Sequence, residues 1–278
     1  MRIRTKVMFS IMLAVVLSIA GVTIMVSREM DKAFVANFKV SSEAQLERMN
    51  AFVESFFGTA ISSAEFMRDS PNIMENLESI TSYAHLAENY KPIGKNLPPA
   101  ERSIYEEFER LHQNFPDYSL VYVGTKSGGF VQAPDDTLAP HYNPPERGWY
   151  LEAVQAGKSI ITEAYVSDNG DVVTTVATPI RAGNGSGYVG VVGFDISLET
   201  LTKETGNVSV GETGYVLMLD STGQVISDPK NSGKSVPADN RWLGKTVEKL
   251  PGDASTAIST LRAKKQGVEE VTIGGKAW

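Results

Sequence analysis

Val7 to Val26 (VMFSIMLAVVLSIAGVTIMV) runs 20 residues without a charged side chain. That is long enough for a helix to cross a hydrocarbon core of roughly 30 Å. Arg2, Arg4 and Lys6 precede the run, and Arg28 and Glu29 follow it after Ser27. Positive charge concentrates on the cytoplasmic side of a span, so the N-terminus is expected inside and the remainder outside. Ser18-Ile19-Ala20 also fits a small-x-small cleavage site, so a signal peptide competes with an anchor. The apolar run continues to Val26 and enters a helical pattern without a break, which favours the uncleaved anchor.

The chain as a whole has the composition of a packed protein, with 42% hydrophobic and 21% charged residues. A net charge of −7, with no basic cluster beyond the first six residues, argues against a nucleic-acid partner. Zero cysteines remove disulfides, thiolate metal sites and thiol catalysis together. His85, His112 and His141 are not in metal-ligand spacing, and no G-x-S-x-G elbow occurs. Ser232-Gly233-Lys234-Ser235 ends like a phosphate loop, but Asp228 stands where that loop needs glycine. It reads as a turn, and the acidic pair Asp135-Asp136 as a solvated loop. The residues therefore point to neither an enzyme nor a cofactor or metal.

From Arg28 to Arg68 there is no proline, and Leu46, Met49, Val53, Phe56, Ala60, Ala64 and Met67 recur in steps of three and four. That spacing predicts a helix with one buried stripe. Ile73 to Tyr90 and Ala100 to Phe115 read as two more helices. Strands are predicted over Ser119 to Gly124 and Phe130 to Ala133, with a proline-rich loop after them. Arg147 to Ala156 reads as a short helix closed by Gly157. Three strands come next, over Ile160 to Ser167, Val172 to Arg181 and Gly187 to Ile196, with turns at Asp168-Asn169-Gly170 and Gly183 to Ser186. A linking helix is expected from Leu198 to Thr205. Gly214 to Ser227 then repeats the strand, glycine turn and strand of Val121 to Pro134. Val268 to Lys276 begins a hairpin whose return strand would start at Ala277, so the chain is expected to be a piece of a longer receptor.

The fold class expected is α+β, a long N-terminal helix with two PAS-like antiparallel-sheet modules, the second incomplete. The parts expected are a cytoplasmic N-terminus (1–6), a membrane helix (7–26), a stalk helix (27–70), a membrane-distal module (71–200) and a membrane-proximal one (201–278).

One cluster of residue types could carry recognition: Tyr142, Arg147, Trp149, Tyr150, Tyr165 and Asp195. An α-amino acid needs a planar fork of donors for its carboxylate, which arginine supplies, and an indole N–H can add one. Its ammonium needs an ionised carboxylate and tyrosine hydroxyls or faces. A pocket holding both signs suits a zwitterion, because a buried charge without a partner costs several kcal/mol. The same residues could instead be aromatic packing beside an arginine, with Asp195 capping the helix at Leu198.

The string Tyr142-x4-Arg147-x-Trp149-Tyr150, with Tyr165 and Asp195 downstream, resembles the amino-acid-binding signature of double Cache (dCache) sensor domains. Gly211 to Pro229 (GETGYVLMLDSTGQVISDP) resembles the opening of the membrane-proximal Cache module. The resemblance covers about Arg28 to Trp278. It implies a sensor of the kind carried by methyl-accepting chemotaxis receptors, sensor kinases and cyclic-di-GMP enzymes, in a bacterial inner membrane with the sensor outside. It also implies that Arg147 and Trp149 hold a ligand carboxylate, that Tyr150, Tyr165 and Asp195 hold its ammonium, and that Tyr142 completes the wall. Asp168 lies near a further acidic contact of some relatives, and Tyr122 is expected on the distal wall. The spacing from Tyr165 to Asp195 is one residue longer than the signature, which a hairpin turn can absorb. The partners implied are a small L-amino acid and a second copy of the chain. The alternatives are another small carboxylate, an amine or a purine as ligand, or a kinase or diguanylate cyclase as output.

Overall fold

The structure, a computed structural model, describes residues 3–168, 170–183, 185, 187–208, 210–211, 214–231, 236, 241–264, 272–273 and 276–277. The turn residues Asn169, Asn184 and Ser186 and the segment Ser232 to Ser235 lie outside the described residues. Two compact units divide at Asn50 and Ala51. Helix α1 (Ile3–Arg68) gives the first unit its residues up to Asn50, among them the apolar run, whose side chains are exposed. It is long and apolar enough to cross a membrane by length and composition. Leu46, expected on the buried stripe, is exposed.

In the second unit the sheet comes from six strands in the order β2-β1-β6-β5-β3, with β4 also paired to β5. These are β1 (Tyr118–Thr125), β2 (Phe130–Ala133), β3 (Ile160–Ile161), β4 (Tyr165–Val166), β5 (Val172–Arg181) and β6 (Tyr188–Ser197). All their pairings are antiparallel. Period-2 alternation gives the sheet two apolar faces. Val121, Val123, Val131, Val176, Phe194 and Ile196 face one way and pack with Ala60, Ala64 and Met67 of α1. Ile104, Tyr105 and Phe108 of α3 (Pro99–Asn114) complete that core. Tyr122, Phe130, Ala177 and Val191 belong to a second cluster with Tyr142, Trp149, Tyr150 and Ala153. The last three lie on α4 (Gly148–Ala156), which ends at Gly157 in the left-handed conformation, φ +66°.

The helix expected over Ile73 to Tyr90 is not formed. α2 (Pro71–Asn76) and one 3-10 turn, Leu77–Ser79, occupy its start. Beyond them the backbone is drawn to the sheet edge and to buried polar groups. Ser82 bridges Gly129, Tyr90 bridges Leu138, and Phe130 donates to the Thr81 carbonyl. The buried Glu101 carboxylate accepts from both the N–H and the hydroxyl of Thr81. These bonds satisfy backbone groups that a helix would otherwise take up.

The single strand expected over Ile160 to Ser167 is broken into β3 and β4. At the break, Thr162 N–H donates to the Thr175 carbonyl, and Thr162 Oγ1 accepts from Thr175 N–H at 3.0 Å. The Thr162 side chain thus replaces a backbone acceptor, and the chain can bend without orphaning a donor.

Past the sheet, α5 (Leu198–Gly206) leads to β7 (Met218–Leu219) and β8 (Val225–Ser227), a second two-stranded pairing. Val225, Trp242, Val247, Leu250, Ala254 and Ile258 form its own core, the last two on α6 (Asp253–Lys264). β9 (Thr272–Ile273) pairs with β10 (Lys276–Ala277).

Candidate functional site

The face of the sheet beneath α4 carries the expected residues because their parity matches. Tyr122 opposes Gly193 and Gln132, and Asp195 opposes Leu120 on one side and Thr175 on the other. A Cβ at Gly193 would run into the Tyr122 ring, and one at Gly124 would lie 2.8 Å from Trp149 Cη2. The two glycines therefore make the room in which these aromatic rings settle against the sheet. Tyr122 packs edge-on to Trp149 at 4.9 Å, and Phe130 meets Tyr142 at 4.7 Å.

Asp195 is buried and accepts three hydroxyls on one oxygen. Thr175 Oγ1 lies 2.6 Å from Oδ1, Tyr122 Oη 2.7 Å and Tyr165 Oη 3.3 Å. No donor to Oδ2 is found among the described residues, and no cation among them pairs with this carboxylate. Burial pushes its pKa up to about 6, against the pull of the three hydroxyls, and the Asp168 charge adds to the rise. The helix beginning at Leu198 is capped by Ser197, whose side chain accepts from Glu199 N–H. Asp195 is thereby free of the capping role its position also allowed.

Arg147 is the cap residue of α4, with extended φ and ψ. Its guanidinium lies over the Tyr142 ring at 5.1 Å and donates to Asp168 Oδ1 at 2.8 Å. Opposite charges thus face each other across one cavity, a cation supplied by α4 and a carboxylate without a cationic partner supplied by β6.

Tyr122, Tyr142, Arg147, Trp149, Tyr165, Asp168 and Asp195 all line that cavity. Tyr150 is not among its lining residues; it is buried one position further round α4, edge-on to Trp149 at 5.6 Å. The free volume is about 40 Å³. A metabolite can enter only if the walls part. Next to it lies a more open cleft of about 380 Å³, which shares Arg147, Trp149 and Tyr165. Thr175 and Gln132 are site residues that sequence reasoning missed. Their register opposite Asp195 and Tyr122 would have revealed them once the strand pairing was known.

The family model dCache_1, a Cache domain, matches residues 28–278. Methyl-accepting chemotaxis protein McpA of Pseudomonas putida is 34% identical over 160 residues, covering 58% of this chain and 23% of that protein. The chain spans about a quarter of the length of the curated receptors it matches. Among solved structures, the ligand-binding domain of Pseudomonas aeruginosa amino acid chemoreceptor PctB, in complex with L-Arg, superposes with a TM-score of 0.58. It is 20% identical, covering 86% of this chain and 78% of that one. The ligand-binding domain of Campylobacter jejuni chemoreceptor Tlp3, in complex with 4-methylisoleucine, gives 0.55 at 14% identity, covering 87% and 84%. At these identities the likeness establishes the fold.

Proposed function

This chain belongs to the dCache_1 family of Cache domains, and we propose on that premise that it is the extracytoplasmic ligand-binding part of a transmembrane chemoreceptor for small amino acids. The observation that carries the reading is Asp195, a buried carboxylate with one oxygen bonded by hydroxyls and no cationic partner, facing the cavity that Arg147 also lines. An α-ammonium would supply the missing cation, and the α-carboxylate would take the Arg147 fork in place of Asp168. Trp149 would assist at the carboxylate; Tyr165, Tyr122 and Tyr142 would wall the head group. Tyr150 would act by fixing Trp149. That PctB and Tlp3 are held in complex with L-Arg and 4-methylisoleucine supports an α-amino acid as ligand class.

Residues 71–200 would form the membrane-distal module that binds, and residues 201–278 the proximal one. The helix over 7–26 would anchor the chain in the bacterial inner membrane, and 27–70 would serve as stalk within a homodimer. In this reading the chain binds and signals, and catalyses nothing. A ligand carboxylate on the Arg147 fork would displace Asp168 from it, so the ligand would favour a state with that ion pair parted to the extent that it binds that state better.

Titration calorimetry on the purified chain in detergent, with a panel of L-amino acids, is the test. Binding in the micromolar range, on the order of −8 kcal/mol, is expected. Arg147→Ala or Asp195→Ala should each cost roughly 3–5 kcal/mol. Absence of binding by every amino acid would overturn the reading. Loss with Arg147→Ala but not with Asp195→Ala would replace an amino acid by a simple carboxylate.

A further inference from the structure

An amino acid has three groups to place around its Cα, and Arg147 and Asp195 account for two. The sheet order sets where the third can go. Asp195 lies on β6, with Thr175 of β5 beside it, and Asp168 comes after β4 on that same side. The head group would therefore occupy the half of the cavity over β6, β5 and β4. The other half lies over β1 and β2, two strand spacings or about 10 Å from β6 to β2. Gln132 of β2 lines it, together with Ser119, Thr137 and Leu138.

Gln132 is 6% exposed. Its Nε2 donates to the Asp136 carbonyl at 2.8 Å, which fixes the amide plane and leaves the other end of the group defined. No donor to its Oε1 is found among the described residues. This oxygen is not among the buried side-chain atoms that lack a partner, so a ligand that covers it without offering a donor strips it of water uncompensated. A ligand that brings a donor there is rewarded, and one that brings a methyl group is not.

The geometry points to Gln132 as the residue that reads the ligand's side chain, and so to L-amino acids with a short hydroxyl or amide side chain as the preferred class. This rests on the amino-acid reading of the site. A wall built to hydrogen-bond discriminates against an isostere lacking the polar group far more strongly than an apolar wall discriminates by size. Leu120, Leu138 and Val173 also line the cavity, and dominance by them would give the opposite preference.

Isosteric pairs decide the matter: L-Thr against L-Val, and L-Asn against L-Leu, titrated into the full chain. The polar member of each pair should bind at least tenfold tighter. In Gln132→Met, which keeps the length of the side chain and removes its acceptor, the ratio within each pair should fall to about one or invert. Reading a ratio within one variant cancels any general weakening, and if the variant fails to fold the wild-type ratios still decide. Equal or tighter binding of Val and Leu by the wild type overturns the inference while leaving amino-acid sensing standing. An unchanged ratio in a folded Gln132→Met overturns it as well. No binding of any of the four, nor of glycine or alanine, removes the underlying reading and this inference together.

Discussion

Ionising Asp195 leaves a negative charge in a buried wall with hydroxyls for company, and the pKa of about 6 records that cost. Linkage sets the sign of the effect on stability. The folded state holds the proton more tightly than the unfolded chain, where the carboxyl titrates near 3.8. This group's contribution is therefore fully present below the unfolded value and is lost as pH rises through about 6. Relative to Asp195→Asn, the wild type should lose about 2 kcal/mol of stability between pH 4.5 and 7.5, at 1.36 kcal/mol per unit. Denaturant titration of both proteins at the two pH values measures it, and a constant difference would refute it. An ammonium ligand needs the ionised form, so its affinity should fall about tenfold per unit below pH 6. Much of this candidate site is legible in the sequence: arginine, tryptophan, tyrosine and aspartate suggest their chemistry by type, and the likeness to the dCache signature singles out the positions. Thr175 is not, since in a run of Val172 to Thr178 a threonine looks like ordinary strand composition. Tyr150 has the right type, but one residue along a helix turns the side chain by about 100°.

At the scale of elements, the sheet holds its donors in place by close packing at two glycines. Gly193 opposes Tyr122 in the β1–β6 register, and an added methyl group would meet the ring. Gly193→Ala should displace the Tyr122 hydroxyl from Asp195 and destabilise the fold by roughly 1–3 kcal/mol, as overpacking does. Gly183→Ala, where nothing lies within 4 Å of the new Cβ, should be near neutral. Denaturation of the pair, with ligand affinity beside it, checks the assignment; equal effects would mean that Tyr122 can shift freely. Strands β1, β2, β5 and β6 keep closely to the expected spans, because alternation and turn residues are local signals. The segment from Ile80 to Tyr90 departs from its expected helix even though its apolar spacing is compatible with one. Its conformation is decided at a distance, by Glu101, Gly129 and Leu138, residues 20 to 50 positions away along the chain.

At the scale of the molecule, the reading of 7–26 as an anchor requires that the apolar run stay attached to the domain that binds. Two local features favour this over cleavage at Ser18-Ile19-Ala20. The helix passes through that site unbroken within Ile3–Arg68, so a peptidase would have to unwind it. Thr23, the polar residue just beyond, donates its hydroxyl to the Ile19 carbonyl at 2.8 Å. It thus satisfies itself within the helix, as a polar group in hydrocarbon must. A charge at the centre of the run should be costly in such a span, about 2.5–3.5 kcal/mol for arginine. The chain expressed in bacteria should therefore sediment with membranes, resist extraction by high salt, and show by intact mass that Met1 to Ala20 are retained. Val16→Arg should shift a substantial fraction out of the detergent-extractable membrane pool. A wild-type chain beginning at Gly21 and found free of membrane would establish a cleaved leader instead. The anchor at 7–26 would then fall, while the amino-acid reading of the site would still rest on the titrations.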